Sequence, residues 1–201
     1  MENGLTFSSA PGFILPQFYE YLLVVHPAKE VFEKIKEVKE KFSADYNVSI
    51  AKKTLPHITV ANFLAKEAME ETIIKWMHKI ISSHQGFPVM LNNYSGFPSS
   101  KTVYARVQDH KPFKQLSASL KVINDYITGN GFDKAIFPNH PHVTIARRLQ
   151  QNIYDKAIMD YSRKTFNASF MVDELVLLKR QSQYDKCKQI NVFKLSPSYT
   201  A

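Results

Sequence analysis

The sequence predicts an α+β domain built by internal duplication, and three observations carry that expectation. Short apolar or alternating segments interleave with segments whose apolar residues recur at helical spacing. The order strand, helix, strand, helix, strand is completed once and then begins again, with one additional strand at the end. One motif, Pro56-His57-Ile58-Thr59-Val60-Ala61, returns at the equivalent place of the second half as Pro141-His142-Val143-Thr144-Ile145-Ala146.

Taken in order, residues 18–25 read as a buried strand stopped by Pro27. Residues 31–42 form a helical stripe through Val31, Ile35, Val38 and Phe42, while Glu33, Lys34, Lys36, Glu37 and Lys39 are assigned to a solvated face. Residues 48–50 and 58–63 read as extended chain, and Met69, Ile73, Trp76, Met77 and Ile80 mark a second amphipathic helix. A strand follows at 87–94, a loop with Pro98 at 96–100, and a strand at 102–107. Pro112 suits a first helical turn, and Phe113, Leu116, Leu120, Ile123 and Ile127 extend one helix to Gly129 and Gly131. Extended chain around Val143 and Ile145, a helix over 152–161 and strands at 172–178 and 190–195 complete the domain. The expected lobes are 18–97 and 98–195, with exchange of strands between them left open. Residues 1–17 and 196–201 mix Gly, Ser, Pro and Asn without a period and are expected to be flexible.

With 44% hydrophobic and 22% charged residues in 201, the composition excludes wholesale disorder and a collagen-like fibre. Cys187 is the single cysteine, so neither an internal disulfide nor a cysteine zinc cluster is available, and a reducing, cytoplasmic setting is expected. The first residues show no secretory pattern, and the apolar run at 21–25 is too short to span a bilayer, so no membrane partner is expected. A net charge of +8 suits a polyanionic partner. The chain is expected to act as a monomer.

The repeated motif carries chemistry through its spacing. Residues two apart on a strand share a face, so His57 and Thr59 point one way while Ile58 and Val60 point to a core, and His142 with Thr144 repeats the arrangement. A Cα separation of roughly 6.6 Å lets an imidazole and a hydroxyl reach one phosphate group. If the two strands meet across a pseudo-twofold groove, one imidazole can take a proton from a nucleophile while the other gives one to a leaving oxygen. Histidine's reference pKa of about 6.5 makes both states accessible near neutrality. The Thr59 and Thr144 hydroxyls would donate to non-bridging oxygens.

Two such motifs in a duplicated α+β chain resemble the 2H phosphoesterase superfamily, and in particular its 2′-5′ RNA ligase and cyclic phosphodiesterase branch. The resemblance spans about 18–195. It implies a bilobal fold in which two antiparallel sheets form a cleft with helices on the outside, and it carries the catalytic roles onto His57, Thr59, His142 and Thr144. It also implies an RNA end or small nucleotide as substrate and no cofactor. Arg147 matches a basic residue frequent after the second motif, and 97–107 resembles the family's Pro-rich loop and strand. The chain departs from the family at Ala65, where Gly is usual, and at Lys101, where Arg is common. By resemblance, His142 is the base and His57 the acid, with the pseudo-twofold leaving the converse open. Hydrolysis and its reversal as RNA ligation share one site, and a non-catalytic nucleotide-binding module is the third alternative.

Arg147 and Lys101 are thus candidate phosphate contacts, and Phe97, Tyr104 and Tyr94 candidate platforms for a base. His140 lies two residues before His142, but no carboxylate accompanies either motif, so no metal site is expected. His26, His78, His84 and His110 are expected to be solvated or locally bonded.

Overall fold

The structure, a computed structural model, describes residues 18–182 and 185–197. The expected flexible stretches at 1–17 and 198–201 lie outside these. Within the first half, β1 (Phe18–Val25) leads through α1 (Lys29–Tyr46) and a 3-10 turn (Ser49–Lys52) to β2 (Ile58–Lys66), then α2 (Glu70–Ile81) and β3 (Phe87–Phe97). The second half runs β4 (Thr102–Val107), α3 (Lys111–Leu120), α4 (Ile123–Gly129), β5 (His142–Ala146), α5 (Gln151–Ser162), β6 (Asn167–Val172), β7 (Glu174–Arg180) and β8 (Lys188–Lys194).

All eight strands belong to one sheet in the order β6-β3-β4-β5-β2-β1-β7-β8, and every pairing is antiparallel. The expectation of two separate sheets is corrected here. At the centre, β2 meets β5 through a single register pair, Ile58 with Val143, which joins two four-stranded halves. Both side chains are fully buried, each contributing about 1.5–3 kcal/mol. A one-residue slip would expose them and turn the motif histidines into the core, so burial fixes the register. The half holding the first motif is completed by β7 and β8 from the end of the chain, whereas β3 lies with β4 and β6. A division at 97/98 would cut the β3–β4 hairpin.

The sheet also curls. Val172 ends β6 at one end of the order and Glu174 begins β7 near the other, with only Asp173 between them. Gly86 sits at this closure, where an added Cβ would lie 3.0 Å from the Val172 carbonyl oxygen. Ser196, expected in the flexible tail, is held there: its N–H donates to the His84 carbonyl (2.8 Å), and its own carbonyl accepts from Gly86 (2.9 Å). The single strand expected at 172–178 is therefore two strands on opposite sides of the sheet.

Two further expectations change. Residues 48–50 lead into a 3-10 turn rather than extended chain. The single helix expected to run to Gly129 is interrupted at Lys121 and Val122, where the Asn124 N–H bonds to Lys121 (2.9 Å) in a tighter turn. The Asn124 side chain accepts the Ala135 N–H (2.9 Å), which ties α4 to the loop that leads into β5.

The crossover helices pack crosswise. Between β1 and β2, α1 packs on β5 and β6, while α3, between β4 and β5, contacts β2. Each half's first helix thus lies against the motif strand of the other half. Asn47, in the left-handed region at φ 52°, ends α1 by donating its N–H to the Ser43 carbonyl.

Candidate active site

The two motif strands share an irregularity as well as a sequence. Leu23 pairs with Ala61 and Val24 with Thr59, leaving Val60 as an extra residue. Val103 pairs with Ala146 and Tyr104 with Thr144, leaving Ile145 extra in the same way. Each is a β-bulge directly after the motif threonine. Its consequence is a change of parity, so that the side chain five residues after each histidine, Asn62 or Arg147, joins the histidine and threonine on the cleft side.

His57, Thr59, His142 and Thr144 line one cavity of about 430 Å³, together with Asn62, Arg147, Phe97 and Thr54 among others. The Nδ1–H of His57 donates to the Leu55 carbonyl (2.7 Å), and that of His142 donates to the His140 carbonyl (2.7 Å). A carbonyl can only accept, so both neutral rings are held in one tautomer, with Nε2 as the nitrogen able to take a proton. Burial pushes the His57 imidazole down to about 4, helped by His26, Lys39 and Arg147 and opposed by the Leu55 carbonyl. Burial, and to a lesser extent His140, lowers His142 as well.

Cations line the His57 side of the cavity. The buried Nε of Arg147 has no hydrogen-bond partner among the described residues, an arrangement that fits an anionic oxygen. Burial, then Arg148 and Arg180, disfavour its charge, as a bound anion would offset. Arg180 is engaged by Glu20 at 2.6 Å, and Glu20 also accepts from the Asn62 amide at 2.6 Å. Glu20, Arg180 and Cys187 complete this wall of the cavity. Among the described residues no group of three or more His, Cys, Asp or Glu is placed to hold a metal ion.

The remaining sequence candidates divide. Phe97 lines the cavity and meets the His142 ring edge-on at 5.0 Å. Tyr104 stacks on Phe97 at 4.3 Å and lies 5.0 Å from His142, buttressing both rings. Tyr94 is directed to the helix side instead, against Tyr161 and Phe166, and burial pushes its hydroxyl up to about 12. The Lys101 ammonium turns into its own loop, donating to the Pro98 carbonyl at 2.6 Å, and Lys101 does not line the cavity. His26, His84 and His110 are locally bonded, to the Pro56 carbonyl, the Ser119 hydroxyl and the Val107 carbonyl, while His78 meets the Asn191 amide and the Phe193 ring.

Lys39 corrects the assignment of a solvated face to α1: it is 3% exposed. Glu20, Asn62, Thr54 and Arg180 also escape the sequence reading. Asn62 alone had a legible signal, since it occupies the position of Arg147 when the two motifs are superposed.

The chain has relatives among known proteins. A match to the family described as the 2′-5′ RNA ligase superfamily covers residues 25–183. A putative phosphoesterase of Oceanobacillus iheyensis is 24% identical over 163 residues, covering 79% of this chain and 88% of that protein. One from Staphylococcus aureus is 23% identical over 176 residues, covering 87% and 98%. Among solved structures, Escherichia coli LigT complexed with 3′-AMP superposes with a TM-score of 0.64 at 16% identity, covering 89% of this chain and 98% of that one. TT0787 of Thermus thermophilus gives 0.64 at 17%, covering 90% and 100%.

Proposed function

The chain belongs to the 2′-5′ RNA ligase superfamily, and on that premise we propose that it is a metal-independent phosphodiesterase that hydrolyses 2′,3′-cyclic phosphates or related 2′-linked phosphoesters of RNA or nucleotides. One observation carries the reading: two imidazoles, fixed in the same tautomer by carbonyls two residues upstream, line one cavity beside an unpartnered Arg147 nitrogen.

In the free protein both rings are neutral at pH 7, because both are lowered from their usual value. An anionic phosphate between them raises their affinity for a proton, and one proton then completes the acid–base pair. Nε2 of His142 takes a proton from water as the new P–O bond forms. Nε2–H of His57 gives one to the ribose oxygen as the old bond breaks. A buried imidazolium, crowded further by Lys39 and Arg147, is a strong acid, which suits His57 to donation. Thr59, Thr144 and Arg147 hold the non-bridging oxygens as charge develops, and Phe97, backed by Tyr104, offers a face to a base. LigT, which shares the fold, was solved with 3′-AMP, a ligand consistent with such a pocket.

Incubating the protein with a panel of 2′,3′-cyclic nucleotides, with and without EDTA, tests the reading. The expected result is EDTA-resistant release of one monophosphate isomer, identified as 2′ or 3′. No turnover of any member, or turnover abolished by EDTA and restored by a metal ion, overturns it. The family description favours ligation as a second reading, in which a ribose hydroxyl replaces water; joining of 2′,3′-cyclic phosphate and 5′-hydroxyl RNA ends would reveal it.

A further inference from the structure

The sheet is weakest where the chemistry sits. Only Ile58 and Val143 pair across the β2–β5 seam, so no hydrogen-bond ladder fixes the separation of the two motif strands. A histidine pair that must bracket one phosphorus atom needs that separation held, since a misplacement of about 1 Å can cost on the order of 10²-fold in rate.

Lys39 bridges this seam. It leaves α1 on the face packed against β5, and its ammonium donates to the main-chain carbonyl of Thr144 at 3.1 Å and to the Thr54 hydroxyl at 3.2 Å. Thr144 belongs to the second motif, whereas Thr54 lines the cavity in the loop entering the first, three residues before His57. Among the described residues no carboxylate lies within ion-pair distance of Lys39. An isolated buried cation is costly, and a methionine or leucine of similar volume would satisfy the packing alone. We propose that Lys39 is a positioning residue of the phosphoesterase site, a strut that ties the loop before His57 to the strand of His142 and places an uncompensated positive charge behind the phosphate.

This rests on the phosphoesterase reading for its substrate. Its geometry predicts two linked effects. Loss of the ammonium frees the Thr54 loop from β5, so the two imidazoles no longer meet the phosphorus together. It also removes one of the groups that, after burial, hold His57 below its usual value, the other titratable groups facing it being His26 and Arg147.

The test compares wild type, Lys39→Met and Lys39→Arg by kcat and KM on 2′,3′-cyclic AMP, by NMR titration of the histidine imidazoles and by thermal melting. Lys39→Met is expected to remain folded at the assay temperature, to lose about 10- to 100-fold in kcat with a smaller change in KM, and to show the His57 titration moved upward. Lys39→Arg, which keeps a cation, is expected to recover part of kcat. Wild-type kcat with an unmoved His57 titration in Lys39→Met overturns the proposal, as does a loss of activity accounted for entirely by unfolded protein. If wild type turns over no cyclic nucleotide, the phosphoesterase reading fails, while the His57 titration in Lys39→Met still decides whether Lys39 acts on the site.

Discussion

The two halves of the site have one skeleton and two environments. Each motif strand anchors its histidine through a carbonyl two residues back, bulges after its threonine, and turns the fifth residue after the histidine into the cleft. Around His57 the neighbours are polar and charged: His26, Lys39, Arg147 and, farther along the wall, the Asn62–Glu20–Arg180 network. Around His142 they are rings, Phe97 and Tyr104. The difference teaches that a repeated strand motif can place two equivalent imidazoles while the surrounding strands make them unequal: one side is electrostatic, the other offers stacking surface.

Removing the imidazoles is the harshest way to break the comparison. His57→Ala and His142→Ala are each expected to lower turnover by about 10²- to 10⁴-fold, with the double variant losing far less than the product of the two. Substrates with a much better leaving group should rescue His57→Ala more than His142→Ala; rescue in the opposite order would exchange the acid and base.

The fifth residues test the asymmetry next. Arg147→Met removes a charge-assisted contact worth about 1.5–3 kcal/mol, so kcat/KM should fall by about 10- to 100-fold. Asn62→Ala, whose amide already serves Glu20, should lose less. Equal losses would show that both positions contact the substrate alike.

Changes in pH sharpen the comparison most gently, by up to about tenfold per pH unit beyond each limb. Because both imidazoles are lowered, the free enzyme loses the proton it must donate as pH rises through the depressed range, and its base becomes protonated as pH falls. The bell in kcat/KM should therefore peak on the acid side of 6.5, because burial lowers both imidazoles. The limbs report the coupled pair rather than either ring. A plateau extending above pH 8 would contradict the buried, neutral imidazoles.

Much of this was legible in the chain. The repeated Pro-His-β-branched-Thr-β-branched-Ala pattern identifies the strands, their faces and four cleft side chains, because a period of two and the need to bury Ile58 and Val143 leave one register. The amphipathic helices follow from their stripes. Other features depend on strands distant in sequence. The bulges at Val60 and Ile145 come from pairing with β1 and β4, and without them Asn62 and Arg147 would not face the cleft. Glu20 and Arg180 meet only because β7 returns from the end of the chain to lie beside β1. Lys39 reads as one more charge on a solvated helix face, and its burial is decided by α1 crossing beneath the other half's motif strand. Local sequence dictates which way a side chain points from its own strand or helix; what it then meets depends on the packing of segments far apart in the chain, and that long-range packing made two like histidines different.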